Sequence, residues 1–417
     1  MIFLSFFIMI NKNTSSQYLK LIFKNDRERR DISERLNIIE EKNVSFLYDI
    51  DDYNKVYKES YGTMYFNYVT IRQILYSNSN FVKNLLYTLA KIVHPNIQMY
   101  YGLMFKGDNC YIVLENVASI NLNEMDYLNY ILNEKEILYL KIQILSRIAQ
   151  TLSFLYESER PYLFTNCHNI KLNYKLLSDR HQHLKVIYCE NAYIESNLIK
   201  LTQIGMYLQF DKQFKEIFSI KNEDIYNITY HSPEMLLYLC SDNTNELPNN
   251  KQLQLWDVWS FGCLIYEVVF GENAYKDMYN REELIQRILE EKDFMKSHSG
   301  VLGKYKGSKY KDSVEEIGEL IGWCTCKEGR ICFKKIVEVL EKIRNDFKEK
   351  YFDEKEINDN KEKVNSMDFQ YYHLPKFEEI NLLALQIKEF HTLDEDITKT
   401  EKEIKYLKSK LINKSQL

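Results

Sequence analysis

Asp257-Val258-Trp259-Ser260-Phe261-Gly262-Cys263-Leu264-Ile265-Tyr266-Glu267 is an aromatic and aliphatic run headed by an aspartate, inside a longer stretch, Leu255 to Phe270, that reads as a helix. Helices this apolar all round are buried ones, so the run marks the centre of a core. The pattern alone fits any buried helix. Its meaning depends on what lies on either side.

Downstream, helical periodicity recurs at Glu282 to Glu290, Val314 to Trp323 and Phe333 to Phe347, and upstream at Ile137 to Tyr156. Further upstream the pattern changes to short β-branched and aromatic runs: Ser45 to Tyr48, Lys55 to Tyr57, Met64 to Phe66, Tyr68 to Ile71, Gln98 to Leu103 and Tyr111 to Glu115. Phe81, Leu85, Leu86, Leu89 and Ile92 share one helical face, which His94-Pro95-Asn96-Ile97 ends. Strands first and helices after predict an α+β fold in two lobes.

The chain has 417 residues, 45% of them hydrophobic, enough for a core; 12 Gly and 5 Pro argue against a fibrous or disordered chain. Its 55 basic and 60 acidic residues are interspersed, giving a formal charge of −5 and no basic footprint for nucleic acid. The cysteines are scattered, which predicts reduced thiols. Cys324, Cys326 and Cys332 cluster without a fourth ligand or paired spacing, so they are expected to be ordinary core cysteines and no metal is expected.

Residues 1–40 read as an N-terminal extension, 41–348 as the folded domain (41–116 and 117–348 as its lobes) and 349–417 as a charged helical tail. Within the extension, Lys24 to Arg35 reads as a solvated helix. In the tail, Leu393, Ile397, Ile404, Leu407 and Leu411 approach heptad spacing, which fits a docking helix or a solvated charged segment. Met1 to Ile10 is apolar but too short to span a bilayer, and it lacks the basic start and small-residue cleavage site of a signal peptide. A cytoplasmic location without membrane contact is expected, a secretory route through Met1 to Ile10 being the alternative.

From Val44 to Asn345 the landmarks resemble protein kinases, nearest the tyrosine-kinase-like group, and they occur in that family's order. The resemblance implies that Asp257 accepts hydrogen bonds from the catalytic-loop backbone. Ser232-Pro233-Glu234 resembles the Ala-Pro-Glu signature, and Arg330 resembles the arginine that pairs with its glutamate, which predicts a Glu234–Arg330 salt bridge. Ile112 to Val117 resembles the hinge, with Leu114 as gatekeeper and Glu115 to Val117 facing adenine.

The residues that handle ATP and magnesium depart from the family's pattern. The glycine-rich loop is replaced by Asp49-Ile50-Asp51-Asp52-Tyr53-Asn54, whose carboxylates repel phosphate. Val69-Thr70-Ile71-Arg72 resembles Val-Ala-Ile-Lys with arginine for lysine, and the helix face opposite offers Asn84 or Leu85 in place of glutamate. Ile199 to Gly205 resembles the magnesium signature with Gln203 in the aspartate's place.

Two catalytic-loop registers are open. In one, Leu184 to Asn191 is the loop, with Val186 at the base position and Asn191 as the surviving magnesium ligand; a hairpin of Glu190 to Ile194 with Leu198 to Thr202 favours it. In the other, Phe164 to Asn169 is the loop, with Asn166 at the base position. Neither supplies an aspartate. The resemblance therefore implies a pseudokinase, a scaffold whose ATP and magnesium binding is weak or absent. Arg72, Leu114, Glu115, Val117 and Asn191 would form its vestigial nucleotide site, and its partners are expected to be proteins such as an active kinase or that kinase's substrate. A slow or unconventional Ser/Thr kinase is the alternative. Thr229 and Tyr230 are expected to be ordinary loop residues, phosphorylation by such a partner being the alternative.

Overall fold

The computed structural model describes the strands at 38–39, 44–49, 54–61 and 65–74, residue 92, and residues 94–106, 109–115, 119–122, 125, 132–163, 165–173, 187, 198–202, 224–241 and 248–367, with side chains as far as 360. Two units divide the chain: residues 1–76, 101–116 and 365–417 form the first, and 77–100 with 117–364 the second.

The first unit holds a six-stranded sheet, order β1-β5-β6-β4-β3-β2. Its strands are β1 (Ile38–Ile39), β2 (Val44–Asp49), β3 (Asn54–Tyr61), β4 (Tyr65–Ile74), β5 (Tyr100–Lys106) and β6 (Asn109–Glu115). The two short runs expected at Met64 to Phe66 and Tyr68 to Ile71 fall on one strand, β4, because Asn67 between them pairs with Glu59 and every residue from Tyr65 to Arg72 finds a partner on β3. Ile71, Met104, Ile112, Val113 and Leu114 form its core.

In the second unit, a small antiparallel sheet of β7 (Ser119–Asn121), β8 (Ile170–Asn173) and β9 (Ile199–Leu201) accompanies the helices. These are α1 (Glu134–Glu157), α2 (Ile225–Ile228), α3 (Pro233–Cys240), α4 (Asn250–Phe270), α5 (Arg281–Glu290), α6 (Phe294–Ser297), α7 (Lys311–Thr325), α8 (Phe333–Tyr351) and α9 (Glu354–Met367), with a 3₁₀ segment at Ser299–Tyr305. Capping boxes start both long core helices, Asn133 with Glu136 on α1 and Asn249 with Gln252 on α4. Gly271, at φ 74°, ends α4 in the left-handed conformation that glycine adopts without a Cβ penalty.

Every residue from Trp256 to Phe270 is buried, as the opening run demands. Among the described helices α4 is the one long and apolar enough to cross a membrane, and 83% of that stretch is buried within the fold. At Gly262 a Cβ would come within 2.6 Å of Thr325 Cγ2 and 2.8 Å of Cys324 Cβ, so only glycine lets α4 and α7 approach this closely. Cys324 is buried, but Cys326 is half-buried and Cys332 exposed at the start of α8, so the cluster is not uniformly core.

The domain does not stop at residue 348. Helix α8 runs on to Tyr351, Phe352 is buried, and α9 begins at Glu354. The segments at 24–35, 81–91 and 393–411 lie outside the described residues.

Candidate functional site

Asp257 lies on the second turn of α4 and is fully buried. Its carboxylate accepts the backbone N–H of Tyr162 at 2.8 Å, that of Leu163 at 2.8 and 2.9 Å, and the hydroxyls of Thr165 (3.0 Å) and Tyr156. Burial pushes the Asp257 pKa above the usual carboxylate range, and these donors pull it back down. They also hold an unfavourable backbone: Leu163 sits at φ 61°, a left-handed conformation that costs a branched residue on the order of 1 to 3 kcal/mol. Its side chain packs among Met235, Leu253 and Trp256, joining this loop to α3 and α4.

The loop so anchored leads straight into β8, and β8 pairs antiparallel with β9: Ile170 opposite Leu201, Leu172 opposite Ile199. This corrects the hairpin expected of 198–202 with 190–194; the loop positions Val186 and Asn191 lie outside the described residues. The hairpin partner of Ile199–Leu201 is 170–173, not 190–194, because Ile170 and Leu172 are fully buried and the other edge of β9 is bridged by Ile97. Asn96 secures that edge, accepting Leu201 N–H at 2.7 Å and donating its amide to Ile199 O at 3.2 Å. Asn166 Oδ1 accepts the N–H groups of His168 (3.0 Å) and Asn169 (2.9 Å), and its amide reaches Asn227 at 3.3 Å. It shapes the turn, as a local Asx bond does. Asn169 O in turn accepts the N–H and hydroxyl of Thr202, both at 2.9 Å, and Tyr162 donates its hydroxyl to Thr202 O at 2.7 Å. The loop and the end of β9 are thereby tied together.

Arg330 meets Glu234 as a bidentate pair, both bonds 2.9 Å. The guanidinium also donates to Cys326 O at 2.7 Å and Leu255 O at 3.2 Å, and lies 5.0 Å from the Trp259 ring. Here the buried member is the arginine, 2% exposed, while Glu234 is 41% exposed. Ser232 caps α3 through Met235 N–H, with Pro233 in the first turn, so the Ser-Pro-Glu sequence positions Glu234 directly.

A second cluster was not anticipated. Glu267, near the end of α4, accepts the hydroxyls of Tyr226 (2.6 Å) and Tyr230 (2.7 Å) and the Asn273 amide (2.8 Å); the same amide reaches Thr229 Oγ1 at 2.8 Å. Burial pushes the pKa values of both tyrosines and of the adjacent Cys167 thiol upward, so all three stay protonated. Thr229 and Tyr230, expected as ordinary loop residues with phosphorylation as the alternative, are 4% and 3% exposed, and their hydroxyls are engaged inside the fold. The available signal was a lone glutamate inside the apolar run Leu264 to Phe270.

In the first unit, Arg72 occupies β4 opposite Asn54 on one side and Ile112 on the other, while Leu114 is buried opposite Thr70 and Glu115 is half-buried opposite Val69. Strands β2 and β3 close with Asp49 opposite Lys55, so only residues 50–53 connect them. Val117, Val186, Asn191 and Gln203, and the side chain of Arg72, lie outside the described residues.

Compared with known proteins, residues 70–340 match the profile of the family described as protein tyrosine and serine/threonine kinase. A 99-residue stretch is 24% identical to the dual specificity protein kinase TTK of Mus musculus; it makes up 24% of this chain and 11% of the mouse protein. The chain therefore matches only a small part of that relative's length.

Proposed function

The chain belongs to the protein tyrosine and serine/threonine kinase family, and we propose that it is a member, allied to the tyrosine-kinase-like group, that has lost phosphoryl transfer and acts as a protein-binding scaffold. The observation that carries this reading is the anchoring of Tyr162, Leu163 and Thr165 to Asp257 immediately before β8. In the family's His-Arg-Asp-Leu-x-x-x-Asn motif, the base aspartate stands five residues before the asparagine. With Asn169 directly preceding β8, that position falls on Phe164, two residues before Asn166. No aspartate or glutamate occurs anywhere from Pro161 to Asn173. A phenyl ring has no group to take a hydroxyl proton.

The residues present do not fit ATP with magnesium. The connection of β2 to β3 carries Asp51 and Asp52 and no glycine, so it offers negative charge where a phosphate needs bare amides. Arg72 stands in the lysine's place and Gln203 in that of the metal-binding aspartate. Asn169 is the one magnesium-signature side chain that this register keeps. Base, lysine and metal carboxylate are thus all replaced, and such losses each cost orders of magnitude in rate.

What the chain preserves is its architecture: the Asp257 anchor, the Glu234–Arg330 pair and the Glu267 cluster hold the segments that surround a kinase's protein-substrate side. We assign it protein partners, among them an active kinase or that kinase's substrate, and a cytoplasmic location. The test is phosphate incorporation from ATP with magnesium, into the chain itself and a generic protein substrate, by wild type and an Arg72→Ala variant. Equal background is the expected result; turnover that Arg72→Ala abolishes would establish the slow-kinase alternative instead.

A further inference from the structure

Past the end of the family match at residue 340, two segments behave differently. Helix α8 sinks Phe333, Ile336, Leu340, Ile343 and Phe347 into the fold. By contrast, α9 carries the sequence Glu-Lys-Glu-Ile-Asn-Asp-Asn-Lys-Glu-Lys-Val-Asn-Ser-Met, and from 353 to 360 only Glu356, Ile357 and Asn360 are even half-buried. Contacts with the first two turns of α1 hold its start. Phe352, 6% exposed, packs its ring 5.1 Å from Tyr139 and 6.3 Å from Phe347. Lys135 lies 4.4 Å over the same ring and donates to both oxygens of Glu356, at 2.7 and 2.6 Å. Its side chain is 13% exposed, so the cation is largely withdrawn from water between an aromatic face and a carboxylate.

We propose that Phe352–Met367 is a releasable strap, clasped on the start of α1 by Phe352 and the Lys135–Glu356 pair, which opens without unfolding α8. Burial separates the two segments energetically. The core side chains of α8 make its opening a global event, whereas the described part of the strap, up to residue 360, gives up one buried ring, one partly exposed ion pair and the half-buried Ile357 and Asn360, a loss small enough for local opening. Opening uncovers the rings of Tyr139 and Phe347, turning a closed aromatic stack into an apolar face beside α1. The intact chain therefore has a closed and an open form of this surface, with the tail itself as the cover.

Hydrogen exchange on the full-length protein tests this. In wild type, the amides of α9 should exchange at least tenfold more slowly than an unstructured peptide, yet faster than those of Ile336 to Ile343. Phe352→Ala should bring α9 to the unstructured rate and leave Ile336 to Ile343 unchanged. Glu356→Gln, which keeps the ring and the fold, should accelerate α9 two- to fivefold, an effect the wild type should approach at high salt as the ion pair is screened. Loss of protection in α8 and α9 together, an unprotected α9 in wild type, or no effect of Glu356→Gln on α9 would overturn the strap.

Discussion

At the scale of single residues, burial decides what each charged group contributes. Arg330 and Glu234 form one ion pair, but only the arginine is withdrawn from water, so the two halves are unequal. Arg330→Ala removes four described hydrogen bonds and the Trp259 stacking, and is expected to cost about 3 to 5 kcal/mol. Glu234→Ala leaves the guanidinium two carbonyls and should cost about 2 kcal/mol. Urea unfolding of both variants checks the order, and equal losses would contradict it. His94 gives a pH signature. Its pKa falls from an ordinary 6.5 to about 4, first through burial and then through the nearby Lys200 and Arg147 charges; its Nδ1 accepts Asn96 N–H and its ring packs on Phe154. Between pH 6.5 and 4 the unfolded chain binds a proton that the folded chain refuses, so His94 subtracts stability as pH falls through that window. His94→Gln should flatten this part of the urea-midpoint profile, and an unchanged slope would refute the assignment.

At the scale of elements, the α4–α7 contact depends on the absence of one Cβ. Gly262→Ala forces Thr325 or the backbone to move and should cost roughly 1 to 3 kcal/mol, measured by thermal unfolding; a neutral substitution would mean that the helices are free to separate. The existence and order of the long elements were legible in the chain: α1 and α8 from their 3.6-residue period, α4 from being apolar all round, and the β2–β4 meander from its β-branched and aromatic runs. Pairing was not. Whether Ile199–Leu201 pairs with 170–173 or 190–194 depends on which apolar strand fills an edge beside Ile97, a contact made across about a hundred residues. Asp257 was legible as an anchor, but the position of its donors was not, since they are backbone N–H groups carrying no sequence signature. The Glu267 cluster stayed hidden for a related reason: its partners come from α2, from Tyr230 just beyond it and from Asn273, and only the fold assembles them. Helix α9 falls in the stretch read as a charged helical tail; what that charge concealed was the burial of Phe352 just before it.

For the whole molecule, the proposed function sets a kinase-family architecture against altered residues at the positions that handle ATP and magnesium. The Asp257, Glu234–Arg330 and Glu267 contacts tie segments of the second unit together, and the proposed function reads Arg72, Phe164 and Gln203 from the sequence as standing where phosphoryl transfer uses a lysine, a base and a metal carboxylate. The metal is the sharpest discriminator. A nucleotide can bind weakly through its base and ribose alone, but a magnesium-bridged phosphate requires the carboxylate that Gln203 lacks. A ligand that binds only the folded state raises the melting temperature, so thermal unfolding of the intact chain in millimolar ATP, with and without magnesium, addresses the claim directly. The account predicts that magnesium makes no difference to the melting temperature in ATP; a magnesium-dependent rise of several degrees would contradict it.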